Sequence, residues 1–136
     1  MEKELLIIFT KNPEKGKVKT RLARSVGEAK ALSVYQKLLW HTHEIVNNLS
    51  MDKFIAYSDY INQRDIWEHD KFNKCLQLGN DLGSKMHNAF VEGFRNSYDR
   101  ICLIGSDIFE LTPSIIEQAF RDLQNHDLVI GPALDG

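Results

Sequence analysis

The residues able to do chemistry gather in a few short stretches. The densest runs from Lys11 to Arg24 and holds six basic residues (Lys11, Lys15, Lys17, Lys19, Arg21 and Arg24) against one acid, Glu14. Cations packed this closely suit a compact, multiply charged anion. Lys11, Lys19 and Arg21 can pair with phosphate oxygens, arginine through two parallel hydrogen bonds. Each charge-assisted contact is worth about 1.5–3 kcal/mol net, so two or three would hold a di- or triphosphate. Gly16 lets the backbone approach a ligand closely or take a positive φ. A merely solvated loop is the alternative, and the charge distribution weighs against it. Outside residues 11–24 the chain has 11 basic and 18 acidic residues, a balance of −7 against −2 for the whole. The positive charge is therefore local. A general nucleic-acid binder spreads its basic residues over a face instead.

The second stretch is Gly105-Ser106-Asp107, at the end of an apolar run. A carboxylate there can bind a hard divalent cation, since Mg²⁺ takes only one or two protein carboxylates beside phosphate oxygens and water. It can equally cap the segment that follows. The third stretch, Gly79-Asn80-Asp81-Leu82-Gly83-Ser84-Lys85-Met86, opens a helix whose free N–H groups could receive a ligand. It also reads as an ordinary helix entry. The fourth, Asp135-Gly136, offers a second carboxylate for the same cation, or a frayed end. The five histidines show no ligand spacing; His41 and His43, two apart, fall on different helix faces. Gly16-Lys17 lacks both the hydroxyl residue and the earlier glycine of a Walker A loop, since Val18 follows, and no Gly-x-Gly-x-x-Gly is present.

Strands alternating with helices must position these stretches. Residues 4–9 form an apolar first strand. From Gly27 to Leu49 the apolar residues recur at three- and four-residue steps, which predicts an amphipathic helix. Strands follow over 53–58 and 73–78, with a short polar helix or turn around 62–69 between them. A second helix starts near Asn80 or Asp81 as N-cap, with Leu82, Met86, Phe90 and Phe94 down one side. Residues 100–105 read as a central strand from their near-continuous apolar character. Thr112 and Pro113 are N-cap and first residue of a third helix, with Ile115, Ile116, Ala119, Phe120 and Leu123 as its stripe. Residues 127–130 make a last strand. This order indicates an α/β fold, a mainly parallel sheet with helices on both faces, in one domain over residues 1–136. In such sheets the ligand crevice lies beyond the carboxyl ends of the strands, where residues 10–21, 79–86 and 105–111 all emerge.

With 136 residues the chain is long enough for one core and too short for two. Its apolar runs fall short of the ~20 residues that span a bilayer, and its start has no leader architecture, so a cytoplasmic protein without membrane contact is expected. Cys75 and Cys102 sit in strand-like runs and read as reduced core residues.

Five motifs in this order resemble a family of small bacterial proteins classed as GT-A-type glycosyltransferases, linked by context to arsenosugar biosynthesis. They are Lys11-x-Pro13 with Gly16-x-Val18-Lys19-Thr20-Arg21-Leu22; Gly79-x-Asp81-Leu82-Gly83-x-Lys85-Met86; Gly105-Ser106-Asp107; Leu111-Thr112-Pro113; and Gly131-Pro132-Ala133-x-Asp135-Gly136. More distantly, the layout is similar to phospholactate and molybdenum-cofactor guanylyltransferases. The resemblance implies a Rossmann-like nucleotide-diphospho-sugar transferase fold. It implies a nucleotide held by Lys11, Gly16, Lys19 and Arg21, with Leu82, Gly83 and Met86 at the base or sugar. It makes Asp107, with Asp135, the ligand of Mg²⁺ or Mn²⁺, and Asp107, Lys19 and Arg21 the residues that carry the reaction. Two departures stand out: Ile108-Phe109-Glu110 where relatives often have a proline, and an end at Gly136 where relatives continue with a glycine- and tyrosine-rich segment on the acceptor side. The second implies a chain shortened at its C-terminus.

Three functions follow as expectations. The first is sugar transfer from a nucleotide sugar to a small acceptor. The second is nucleotidyl transfer from a nucleoside triphosphate with release of pyrophosphate, and the third is nucleotide binding without catalysis.

Overall fold

The computed structural model describes residues 3–124. Within them, four strands form one parallel sheet in the order β3-β2-β1-β4: β1 Glu4–Thr10, β2 Asp52–Tyr57, β3 Asn73–Leu76 and β4 Arg100–Gly105. The helices are α1 Thr20–Val26, α2 Glu28–Val46, α3 Leu82–Arg95 and α4 Pro113–Asp122. The α/β architecture expected from the alternating pattern is the one observed.

The period of two along β1 divides the core. Leu6 and Ile8 join Ile55 and Tyr57 on one face, covered by Tyr35, Leu39 and Val46 of α2 and by Ile116 and Phe120 of α4. Leu5, Ile7 and Phe9 join Ala56 and Ile101 on the other, covered by α3 through Ala89 and Phe90. Gly93 brings α3 close to the sheet, because a Cβ there would meet Ile101 Cδ1 at 2.5 Å and Leu5 Cδ2 at 3.2 Å.

Several expectations are corrected. The basic stretch is not one loop, because Thr20–Val26 are helical and Gly27, with φ 91°, breaks α1 from α2. Of the helix or turn expected over 62–69, the chain takes the turn. Asn62 Oδ1 accepts from Arg64 N–H at 2.9 Å and Asp65 Oδ1 from Trp67 N–H at 3.0 Å, and such local bonds compete with helical ones. The same segment buries Trp67, with Phe72, on the α2 side of the sheet. On α3, Leu82 and Phe94 are exposed, as is Ile115 on α4, so the buried stripes are narrower than the periodicity suggests. Among the described residues β4 pairs with β1. The strand expected over 127–130 and Asp135 both lie outside the described residues. No helix of the described residues is long and apolar enough to cross a membrane.

Candidate functional site

An open crevice of about 1110 Å³ lies off the carboxyl ends of the strands. Its floor takes Thr10 from β1 and Gly105 from β4, with Ser58, Gln77 and Ser106 just beyond β2, β3 and β4. One wall is Val18–Leu22 and the facing side of α2; the opposite rim is the start of α3, with Leu82 and Lys85.

The segment after β1 is pinned at two points. Asn12, 1% exposed, donates from Nδ2 to Tyr60 O at 3.0 Å and accepts at Oδ1 from Tyr60 N–H at 3.2 Å. Val18 is buried in the α2-side core. Between them Gly16 takes φ 84°, and a Cβ there would crowd the Glu28 carboxylate at 3.3 Å. Just before α1, Lys19 adopts φ 49° and ψ 48°, the left-handed region that costs an L side chain about 1–2 kcal/mol.

Beneath the crevice lies a knot of hydroxyls. Tyr35 Oη, on α2, donates to Lys11 O at 2.9 Å and accepts from Lys11 N–H at 2.9 Å. It also lies 3.2 Å from Ser106 Oγ and 3.3 Å from Thr10 Oγ1, while Ser106 Oγ donates to Thr10 Oγ1 at 2.9 Å. Thr42, two turns further along the same face of α2, donates to Ser106 O at 2.8 Å. A helix, two strand ends and the first residue of the basic segment are thereby locked together. Gln77 adds a fourth element by donating to Ala56 O at 2.9 Å and Thr10 O at 3.3 Å.

Electrostatically the crevice presents four basic side chains, Lys11, Lys19, Arg21 and Lys85, and one acidic side chain, Asp107. Lys19 Nζ lies 3.5 Å from Asp107 Oδ2, bridging 88 residues of chain. The Asp107 carboxylate is 41% exposed, so a ligand in the crevice can reach it. One accessible carboxylate beside a phosphate-sized space fits the sparse protein coordination of Mg²⁺ or Mn²⁺. Among the described residues no group of three or more His, Cys, Asp or Glu could hold a metal by itself.

Of the expected site residues, Lys11, Lys19, Arg21, Leu82 and Asp107 come together around the crevice. Gly16, Gly83 and Met86 do not line it. The basic stretch is thus divided: Lys15, Lys17 and Arg24 are exposed away from the crevice, and Lys17 pairs with Glu14 at 3.5 Å. Sequence reasoning missed Tyr35, Asn12, Ser58 and Gln77. Gln77 falls inside the strand expected over 73–78, whereas β3 ends at Leu76 and frees its side chain for the crevice floor. Lys85 was visible within its motif but not singled out.

This is a parallel α/β domain with an anion-suited crevice at the strand ends. The chain belongs to the bacterial family DUF2064, described as uncharacterized proteins conserved in bacteria, whose model matches residues 41–136. Its fold is similar to that of a crystal structure from Desulfovibrio desulfuricans G20, provisionally assigned as a nucleotide-diphospho-sugar transferase. The two are 32% identical, with a TM-score of 0.78 over 91% of this chain and 55% of that one. The chain thus spans about half the length of that relative. No curated protein matches it.

Proposed function

We propose that this domain binds the nucleoside diphosphate portion of a nucleotide sugar and belongs to a GT-A-type glycosyltransferase that passes the sugar to a small acceptor. The observation that carries the reading is the set of Lys11, Lys19, Arg21 and Lys85 facing Asp107 across one crevice at the strand ends. The Desulfovibrio relative and the motif resemblance support it. In this reading Lys11, Arg21 and Lys85 hold the diphosphate, and Leu82 lies beside the base or sugar. Breaking the sugar–phosphate bond builds negative charge on the departing diphosphate. Cations already in place stabilise that charge without reorganising at the moment of reaction. Mg²⁺ or Mn²⁺, held by Asp107, would supply charge neutralisation as a Lewis acid. The hydroxyl knot under Lys11 keeps the first cation in position.

The same crevice would serve nucleotidyl transfer, as in the guanylyltransferases noted above, because both reactions stabilise a pyrophosphate linkage. Calorimetry with uridine and guanosine diphosphates, with and without MgCl₂, tests nucleotide binding, and Asp107→Asn should abolish the metal dependence. Metal-dependent hydrolysis of a nucleotide sugar, with no pyrophosphate released from nucleoside triphosphates, identifies sugar transfer. The opposite pattern identifies nucleotidyl transfer. Absence of nucleotide binding under any of these conditions rejects both.

A further inference from the structure

We infer that Lys19 is the resident counter-ion of Asp107, so that a divalent cation enters the crevice only together with the phosphates that draw Lys19 away. The inference rests on the nucleotide reading above and adds an order of events to it. Lys19 Nζ, 3.5 Å from Asp107 Oδ2, lies where a cation bound to that carboxylate would have to sit or would be repelled. Among the described residues this is the one ion pair Asp107 makes. The backbone aims the side chain there: the left-handed conformation at Lys19 turns the chain into α1. A lysine held in a conformation unfavourable to it is a feature that clusters at ligand clamps and switches.

The pair is also built to be given up. Its side chains are 31% and 41% exposed, and ion pairs this open are weakly held. A diphosphate brings at least two negative charges into the crevice and competes directly for the ammonium. Once Lys19 turns to the phosphate, the Asp107 carboxylate is free, and the phosphate oxygens complete the ligand set that the described protein residues alone do not supply. Without phosphate, Asp107 has the Lys19 ammonium beside it, and a divalent ion meets that charge at close range. Repulsion across about 4 Å, even at the dielectric of water, lowers affinity for a doubly charged ion by roughly tenfold or more.

The test measures Mn²⁺ binding to the nucleotide-free full chain from the loss of its free-ion paramagnetic resonance signal. Lys19→Met should bind Mn²⁺ at least tenfold more tightly than wild type. Lys19→Arg should resemble wild type, and Lys19→Met combined with Asp107→Asn should lose the gain. Lys19→Gly removes the same charge while suiting the φ of 49°, so it gives a second reading if methionine disturbs the fold. In wild type, uridine or guanosine diphosphate should raise Mn²⁺ affinity by well over tenfold. Mn²⁺ affinity unchanged in both Lys19→Met and Lys19→Gly overturns the inference, as does a gain that survives Asp107→Asn. If those results come with metal-dependent nucleotide binding that is lost in Asp107→Asn, only the counter-ion role fails. If nucleotides do not bind wild type at all, the functional reading fails with it.

Discussion

Replacing Tyr35 by phenylalanine isolates what the hydroxyl knot contributes. The ring, 3% exposed, stays in the α2-side core, so the change creates no cavity of consequence. What disappears is one oxygen that donates to Lys11 O and accepts from Lys11 N–H, both at 2.9 Å, with Ser106 Oγ and Thr10 Oγ1 within 3.3 Å. Ser106 and Thr10 can still bond each other at 2.9 Å, but the Lys11 amide loses its acceptor. Lys11 is exposed and its two bonds to Tyr35 are part-buried, so the unpartnered amide costs toward the lower end of about 1–3 kcal/mol, water taking up part of the loss, and the lost donor bond adds up to about 1 kcal/mol. We expect Tyr35→Phe to destabilise the protein by about 1–2 kcal/mol, lowering the urea midpoint by roughly 0.5–1 M at an m-value of ~2 kcal/mol/M. Because Ser106 shares the knot, Tyr35→Phe and Ser106→Ala should be non-additive, with a coupling of about 0.5 kcal/mol or more. Nucleotide affinity should fall as well, since Lys11 is the residue released. A loss under about 0.5 kcal/mol, or strict additivity with Ser106→Ala, would show that the knot does not anchor the crevice.

Four further perturbations follow from the structure. Gly93→Ala drives a methyl group to within 2.5 Å of Ile101 Cδ1, the far end of a side chain that can turn aside; overpacking of about 1–3 kcal/mol is offset by about 1 kcal/mol of helix propensity, so equilibrium denaturation should show a net loss of about 1 kcal/mol. Asp65→Ala leaves the Lys74 ammonium, whose side chain is 4% exposed, without the carboxylate 2.9 Å away. Orphaning a buried charge should cost about 3 kcal/mol or more, measured the same way. Burial, with the Glu4 carboxylate, pushes the Cys102 thiol up to about 11; burial and the Asp52 hydrogen bond push the Tyr98 phenol up to about 12. Both hold their protons more tightly when folded. Their stabilisation is therefore full below pH 9 and lost across pH 9–11 for the thiol and 10–12 for the phenol, which denaturation at stepped pH should trace. Arg21→Ala, exposed on α1, should weaken nucleoside diphosphate binding several-fold in calorimetry while leaving the urea midpoint in place; unfolding instead would assign Arg21 a structural role.

Local chemistry was legible wherever one stretch of chain decides it. The Asp81 side chain accepts from Ser84 N–H at 2.7 Å, and Thr112 caps α4 ahead of Pro113, as short-range capping patterns predict. The apolar run of β1 is the buried strand it reads as. What stayed hidden depends on partners far apart in sequence. Tyr35 falls on the apolar stripe of α2 and reads as a core ring; its hydroxyl acquires a role only from Lys11, 24 residues away, and Ser106, 71 away. Trp67 lies in a polar stretch whose Asx bonds look like loop chemistry, yet those bonds are what turn its ring into the core.

The basic stretch shows how the two kinds of information combine. Composition marks six cations but cannot say which three face the ligand. That selection comes from backbone conformation: the pinned Asn12 fixes the exit from β1, Gly16 permits the turn, and the left-handed Lys19 starts α1 with Arg21 toward the crevice. Arg24 lies nearly one turn further along α1 and outside the crevice lining. Lys19, which with Ser97 holds a positive φ without being glycine, is therefore also the residue paired with Asp107. The strain at Lys19 and the reach of its side chain to Asp107, just past the neighbouring strand β4, are two consequences of the same turn.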